Sequence, residues 1–411
     1  MLESAAHDLL MIICHVWDAD YPWDVRVEKI CDSLIKKHGV HLVCRNSLRR
    51  PRYECVNNLH IHRLPCLPKQ YGSLNRLIGF PAFFNPLWIY NIWRTVRRTK
   101  ADVILVRDLP LALTAVAVGR LAGIPVVLDM AENYPAMIRD LWGRAGFSVV
   151  DFGVRNPKLV SLVERISLKL CDHIVVVVEE SRDRLVALGV PQSKVSLVIN
   201  TPTTERLVKT VPSTDKLVPR DGATLVLVYL GLLEWPRGIE TAIRAIASVR
   251  TQIAGVRLLI VGSGRHERDF RSLVEQLNLR KQVQFLGWLD YAAAIRVIDE
   301  SDIGLVPHHA TESWNTTVPN KLFDYMSKGK PVIVSNAKPV ERIVKEERCG
   351  IVFREQDSED LARAIVTLEP ESVRTAMGRR GRDATARKYN WAVDEQRLYQ
   401  ALETVVGRGR S

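Results

Sequence analysis

The stretch VPNKLFDYMSKGKPVIVSN, Val318 to Asn336, decides how this chain folds. Pro319 suits the first helical position, where its missing N–H costs nothing. Leu322, Phe323 and Met326 fall on one apolar face, and Asn320, Lys321 and Asp324 share another. Gly329 stands where a left-handed cap belongs, and Pro331-Val332-Ile333-Val334 reads as a buried strand. A helix N-terminus with an amide, a cation and a carboxylate on one face suits a nucleotide diphosphate. Its N–H groups and Lys321 can meet phosphate, and Asp324 can accept from ribose hydroxyls. The plainer alternative is an amphipathic helix with a solvated polar face.

Outward from this stretch, strands and helices alternate in both directions. Toward the N-terminus lie Thr224–Leu230, Arg257–Val261, Val283–Leu286 and Ile303–Val306. The first half repeats the pattern with a strand ending near Cys14, then Val40–Val43, Ala101–Val106, Ile124–Leu128, Asp172–Val178 and Val195–Ile199. Asp24 caps a helix carrying Val27, Ile30, Cys31, Leu34 and Ile35 at helical spacing, and Gly39 is expected to stop it. Continuous apolar strands between amphipathic helices mean parallel sheets covered on both faces. The polar, Pro-bearing stretch 201–222 reads as a linker. The expected organisation is a first doubly wound domain over 1–200, a second over 223–388, and a last helix within 389–411. Two such domains facing one another leave a central cleft at the carboxyl ends of their strands.

The chain has 411 residues, ample for two cores. Its seven cysteines are scattered without C-x-x-C pairs, which argues against a disulfide frame or zinc site and for reduced thiols in the cytoplasm. The early apolar run Leu9–Cys14 is too short to span a membrane and follows an acidic start, unlike a signal peptide. A net charge of +12 favours polyanions: nucleic acid, anionic lipid or phosphorylated substrates. No helix-turn-helix, zinc finger or aromatic ribonucleoprotein motif is present, so nucleic acid is not expected as a partner.

Pro319-x-Lys321-Leu322-Phe323-Asp324-Tyr325-Met326, with Gly329 and Pro331-Val332-Ile333 after it, resembles the donor-site motif of retaining GT-B glycosyltransferases of family 4, in the branch that builds bacterial surface polysaccharides. That family carries two glutamates at fixed spacing, where this chain has Thr316 and Asp324. The resemblance gives Asp324 the ribose-binding role, and adds Thr316, Thr317 and Asn320 to the donor-binding set. It covers nearly the whole chain, and implies that the last helix returns to the first domain.

Other segments fit the same resemblance. Gly231 follows a strand, and Arg237-Gly238 precedes the helix Ile239–Val249, a phosphate site in principle. The family usually has an Arg after this glycine. Leu232 stands there, so Arg237 and Lys321 are left to neutralise a diphosphate. Gly262-Ser263-Gly264 resembles the family turn lining the donor cleft. Glu267 replaces the third glycine of a dinucleotide fingerprint, so no nicotinamide cofactor is expected. Phe285-Leu286-Gly287-Trp288 resembles the base-binding turn. Asp24-x-Arg26-Val27 resembles a branch signature, with Arg26 off the apolar stripe and able to face the cleft; the alternative is a capping Asp24 and a solvated Arg26. Many family members carry a His where Ala131 stands. Its neighbours Asp129 and Glu132 are candidate acceptor-side and catalytic carboxylates, or simply loop caps.

The resemblance implies transfer of a sugar, with retention and without a metal or other cofactor, from a UDP-sugar to a polyprenyl-linked or glycan acceptor. Asp18-Ala19-Asp20 is a D-x-D in the wrong place for metal binding, and His308-His309 are adjacent, so their side chains point apart. His308 or His309 can still reach the donor cleft. Phe83–Trp93 is aromatic and runs into Arg94, Arg97, Arg98 and Lys100. Residues 83–100 therefore suit an anionic membrane surface on the inner face, or else a buried helix. Two alternatives remain at this level: a nucleotide-sugar-binding scaffold with weakened catalysis, and a GT-B nucleotide-sugar epimerase.

Overall fold

This computed structural model describes residues 11–22, 24–66, 83–141, 156–203, 218 and 224–409. Residues 204–217 and 219–223, most of the expected linker, lie outside them, as does the start of the opening apolar run. The chain divides into two compact units, one of 1–198 with 395–411 and one of 199–394.

The first unit is built on one sheet. Its strands in chain order are β1 (Ile12–Val16), β2 (Gly39–Cys44), β3 (Tyr53–Val56), β4 (Leu59–Arg63), β5 (Val103–Arg107), β6 (Val126–Met130), β7 (His173–Val176) and β8 (Val195–Leu197). In space they run β3-β4-β2-β1-β5-β6-β7-β8, all parallel except β3. Every residue of β5 and β6 is buried, as their unbroken apolar runs require when helices cover both faces. The antiparallel β3–β4 hairpin is absent from the sequence reading. Its turn is Asn57-Asn58, both at positive φ, the backbone that a two-residue type I′ turn demands and asparagine tolerates. The helix Val25–Leu34 ends before Gly39, which opens β2 instead of stopping a helix.

The second unit holds β9 (Leu225–Leu230), β10 (Val256–Val261), β11 (Val283–Gly287), β12 (Ile303–Val306), β13 (Val332–Ser335) and β14 (Gly350–Phe353), in the order β11-β10-β9-β12-β13-β14. All its pairings are parallel. In each unit the chain first winds to one side and then crosses to the other. The reversal falls between β1 and β5 in the first unit and between β9 and β12 in the second, the places where doubly wound sheets open a crevice at their carboxyl ends.

The last helix, Trp391–Gly409, packs its far part on the first unit. The Tyr399 hydroxyl donates to the Ser33 carbonyl at 2.6 Å, and Lys36 pairs with Glu395 at 2.7 Å.

Candidate functional site

In the second unit the decisive helix spans Lys321–Ser327, shorter than its pattern predicts. Pro319 lies before it, and Asn320 occupies the N-cap position without making a side-chain cap. It has no solvated polar face. Leu322, Phe323, Tyr325 and Met326 are fully buried, and Lys321 and Asp324 are 7% and 8% exposed. The polar residues at i and i+3 are therefore inside, and the amphipathic reading is corrected. Gly329 takes φ +65 and closes the helix as expected.

Two contacts lock this helix against β9. The Tyr325 hydroxyl accepts from the Leu230 N–H at 3.0 Å, and its ring fills the space a side chain on Gly304 would need. Lys321 is thereby carried to the Gly231 turn. Its Nζ lies 3.8 Å from the centre of the Tyr229 ring and 3.2 Å from the point a Cβ on Gly231 would occupy. Gly231, at φ +132, thus leaves room for the ammonium as well as for the turn.

The turn Trp235–Arg237 is held to the extension of β12. The His309 N–H donates to the Pro236 carbonyl at 2.9 Å, and Gly238 lies so close to the Pro307 carbonyl that any side chain would clash. Arg237 stacks 4.7 Å from the Trp314 ring centre, and Trp314 also packs on His308 at 4.1 Å. The Lys321 Nζ stands 3.3 Å from His308 Nε2. Among the described residues neither Lys321 nor Arg237 has a carboxylate partner. Burial first, then Arg237, pushes the Lys321 ammonium well below its usual range. Burial, Lys321, Arg237 and His309 together keep His308 neutral. Positive charge without a counter-charge is costly to bury, so Lys321 holds its proton weakly and an anion would secure it.

Other expected donor residues take different places. Asp324 accepts from the Tyr291 hydroxyl at 2.9 Å. The Thr316 hydroxyl turns back onto the Glu312 and Ser313 carbonyls, so its side chain serves its own short helical turn. Thr317 is buried and Asn320 exposed. Gly262 and Gly264 press against Gly231 and Leu233, where any side chain would collide with backbone. They shape the crevice. Trp288, after the positive-φ Gly287, is 74% exposed.

The crevice of the first unit is built differently. Arg26 is 1% exposed, neither cleft-facing nor solvated. It binds Asp129 through Nε and Nη2 at 2.6–3.1 Å and donates from Nη1 to the Val198 carbonyl at 3.0 Å. The helix that Asp24 caps brings Arg26 under β6, and a residue off the apolar stripe is buried because its charge is paired. Arg107, at the end of β5, was missed by motif reading. It bonds Asp108 at 2.9 Å and lies 3.8 Å from Asp129 and 3.9 Å from Asp24. Burial opposes its charge, but Asp108, Asp129, Asp24 and Glu132 outweigh that. Asp108 holds φ +61, ψ 171, a backbone that favours glycine, and burial pushes its carboxyl up to about 8 against the pull of Arg107. Glu132, half-buried after β6, adds to that push.

A family profile described as glycosyl transferases group 1 matches residues 224–369, and one described as glycosyl transferase 4-like domain matches 24–201. Phosphatidyl-myo-inositol mannosyltransferase of Mycobacterium leprae is 30% identical over 193 residues, 46% of this chain and 49% of that protein. A GDP-mannose-dependent phosphatidylinositol monomannoside mannosyltransferase of Corynebacterium glutamicum is 28% identical over 41% of this chain and 44% of its own. WcaL of Salmonella typhimurium, named for colanic acid biosynthesis, is 24% identical over 54% of each. The chain spans about half the length of the curated relatives it matches. Among solved structures, sucrose-phosphate synthase from Thermosynechococcus elongatus superposes with TM-score 0.75 at 18% identity, over 97% of this chain and 100% of that one. Anabaena HepE in complex with UDP gives 0.69 at 13%, over 96% and 100%. These likenesses establish the fold, and with the two profiles they mean that the chain belongs to the GT-B glycosyltransferases of family 4.

Proposed function

We propose that this protein transfers a sugar from a nucleoside-diphosphate sugar, a UDP-sugar in our reading, to a glycan or polyprenyl-linked acceptor in surface polysaccharide assembly. One observation carries the donor site: Lys321 and Arg237 meet at the crevice of the second unit with no carboxylate partner among the described residues. A diphosphate supplies the missing charge, and Asp324 receives the ribose hydroxyls. In the reaction the bond from the sugar's anomeric carbon to the diphosphate oxygen breaks, and its electron pair stays on phosphate. The acceptor oxygen bonds to the same face of that carbon and gives its proton to the departing phosphate. Lys321 and Arg237 stabilise the growing charge without a metal. The acceptor side falls to the first unit, to Asp24, Arg107, Asp108 and Glu132, while the Arg26–Asp129 pair holds their frame.

Isothermal titration with UDP, GDP and ADP, with and without a divalent cation, tests this. Binding of UDP without metal is expected. The relative named for GDP-mannose makes GDP the competing arm. Silence from all three nucleotides sinks the donor site, and donor epimerised without transfer would favour the epimerase.

We also propose a peripheral place on the inner membrane face. The helix Pro86–Thr99 buries Trp88, Ile92 and Val96, so the packing alternative holds for one face. Its other face shows Tyr90 and Trp93, exposed by 57% and 41%, with Arg97 in line and Phe84 just before. No helix among the described residues is long and apolar enough to cross a membrane. Neutralising Arg94, Arg97 and Arg98 should lower co-sedimentation with anionic vesicles, at about 1 kcal/mol per charge. Equal sedimentation of variant and parent would refute it.

A further inference from the structure

His308 is the one member of the cation cluster that motif reading leaves without a role. It follows β12 through Pro307, and its backbone is fixed on both sides: Pro307 abuts Gly238, and His309 bonds Pro236. The ring is 1% exposed, clamped between Trp314 and the Lys321 ammonium. The charged and titratable groups around the pair are Arg237, His309 and Tyr229. The Tyr229 phenol stays neutral through burial and donates to the Leu232 carbonyl at 2.8 Å. Among the described residues no carboxylate answers Lys321. A neutral imidazole is the sole side-chain acceptor within reach of its Nζ among the described residues.

We propose that His308 is a positioning residue, a neutral ring whose Nε2 accepts from Lys321 and aims its Nζ at the Gly231 turn, and that an arriving nucleoside diphosphate draws one proton from solvent onto the Lys321 amine. This rests on the donor-site reading above. The geometry supplies the asymmetry. With Nε2 accepting from Lys321, the ring's hydrogen sits on Nδ1, which is buried without a partner. A charged imidazole would put a second hydrogen on Nε2, facing the ammonium. The proton that accompanies the anion therefore settles on Lys321. The vacant site disfavours the ammonium through burial and Arg237, whereas the diphosphate favours it. Nucleotide affinity should accordingly fall as pH rises above the value at which Lys321 loses its proton in the unliganded protein.

The test is calorimetry with UDP in buffers of contrasting ionisation enthalpy, PIPES and Tris, repeated with GDP. The wild type is expected to show net proton uptake, growing toward one per nucleotide as pH rises. Lys321→Met should abolish the uptake and weaken binding strongly. His308→Leu, which removes the acceptor, should weaken binding roughly tenfold, the scale of one charge-assisted hydrogen bond. His308→Gln, whose amide oxygen can accept from Lys321, should recover most of that loss and keep the uptake. A purely structural role would give no such rescue. Nucleotide binding independent of buffer, or His308→Leu binding as tightly as the parent, overturns the inference and leaves the donor site standing. No binding by the wild type overturns the donor site itself. If His308→Leu fails to fold, the wild-type proton count and Lys321→Met decide.

Discussion

The two units place charged side chains at the same topological position and treat them in opposite ways. At the β1/β5 reversal each arginine is matched: Arg26 by Asp129, and Arg107 by Asp108 with Asp129 and Asp24 nearby. At the β9/β12 reversal Lys321 and Arg237 face an imidazole and aromatic rings. The first crevice answers its arginines with its own carboxylates. The second is neutralised only when an anion enters. One fold repeated in one chain thus yields a crevice matched by carboxylates and one that is not, by the choice of counter-charge alone.

The comparison breaks most sharply at Arg26. Arg26→Ala would strand Asp129, which is 1% exposed, in the core of the first unit. The expected loss of folding stability is about 3–5 kcal/mol, measured by urea unfolding, because Asp129 would lose all its side-chain hydrogen bonds from Arg26 and keep only Arg107 at 3.8 Å. Lys321→Met should leave stability unchanged or raise it, since removing a buried cation offsets the one bond that His308 loses. Equal destabilisation by both variants would erase the distinction between a paired and an unpaired crevice.

Asp324 sharpens the donor side. It is the carboxylate that the family motif assigns to ribose, and the structure adds Tyr291 as its hydrogen-bond donor. Asp324→Ala should weaken nucleotide binding by about 1–3 kcal/mol in titration, the cost of unmaking charged hydrogen bonds. Tyr291→Phe should cost less, about 0.5–1.5 kcal/mol. An unchanged affinity in Asp324→Ala would remove that residue from the site.

The sheet strands, the Gly329 stop and the helix Ile239–Val249 were legible because unbroken apolar runs and a glycine after a helix constrain the backbone locally. The β3–β4 hairpin was not, since Asn57-Asn58 lacks the glycine that usually marks such a turn, and the strand Tyr53–Val56 is largely exposed. The burial of Arg26 was invisible for a different reason. Its partner lies 103 residues away, and helical periodicity cannot tell a solvated arginine from a paired one. The same limit hid Arg107 and Asp108, which follow an ordinary strand and carry no motif. Thr316 stands where the family motif has a glutamate, and the motif could not show that its hydroxyl bonds its own turn, which a carboxylate cannot do.

Asp108 offers the finest probe of the first crevice, because its effect is read as a slope against pH. Its carboxyl ordinarily titrates near 3.8; burial raises it to about 8, with Glu132, Asp129 and Asp18 adding to that and Arg107 resisting. The fold therefore favours the protonated acid. That contribution is fully present below pH 3.8 and is lost as pH climbs through about 8. Asp108→Asn keeps a neutral side chain at every pH and can still accept from Arg107. The variant should match the parent near pH 4 and gain on it steadily toward pH 8, by about 1 kcal/mol per pH unit. Parallel stability curves from pH 4 to 8 would mean that Asp108 ionises normally. The first crevice would then carry one more negative charge, which argues for a cationic acceptor over a neutral hydroxyl.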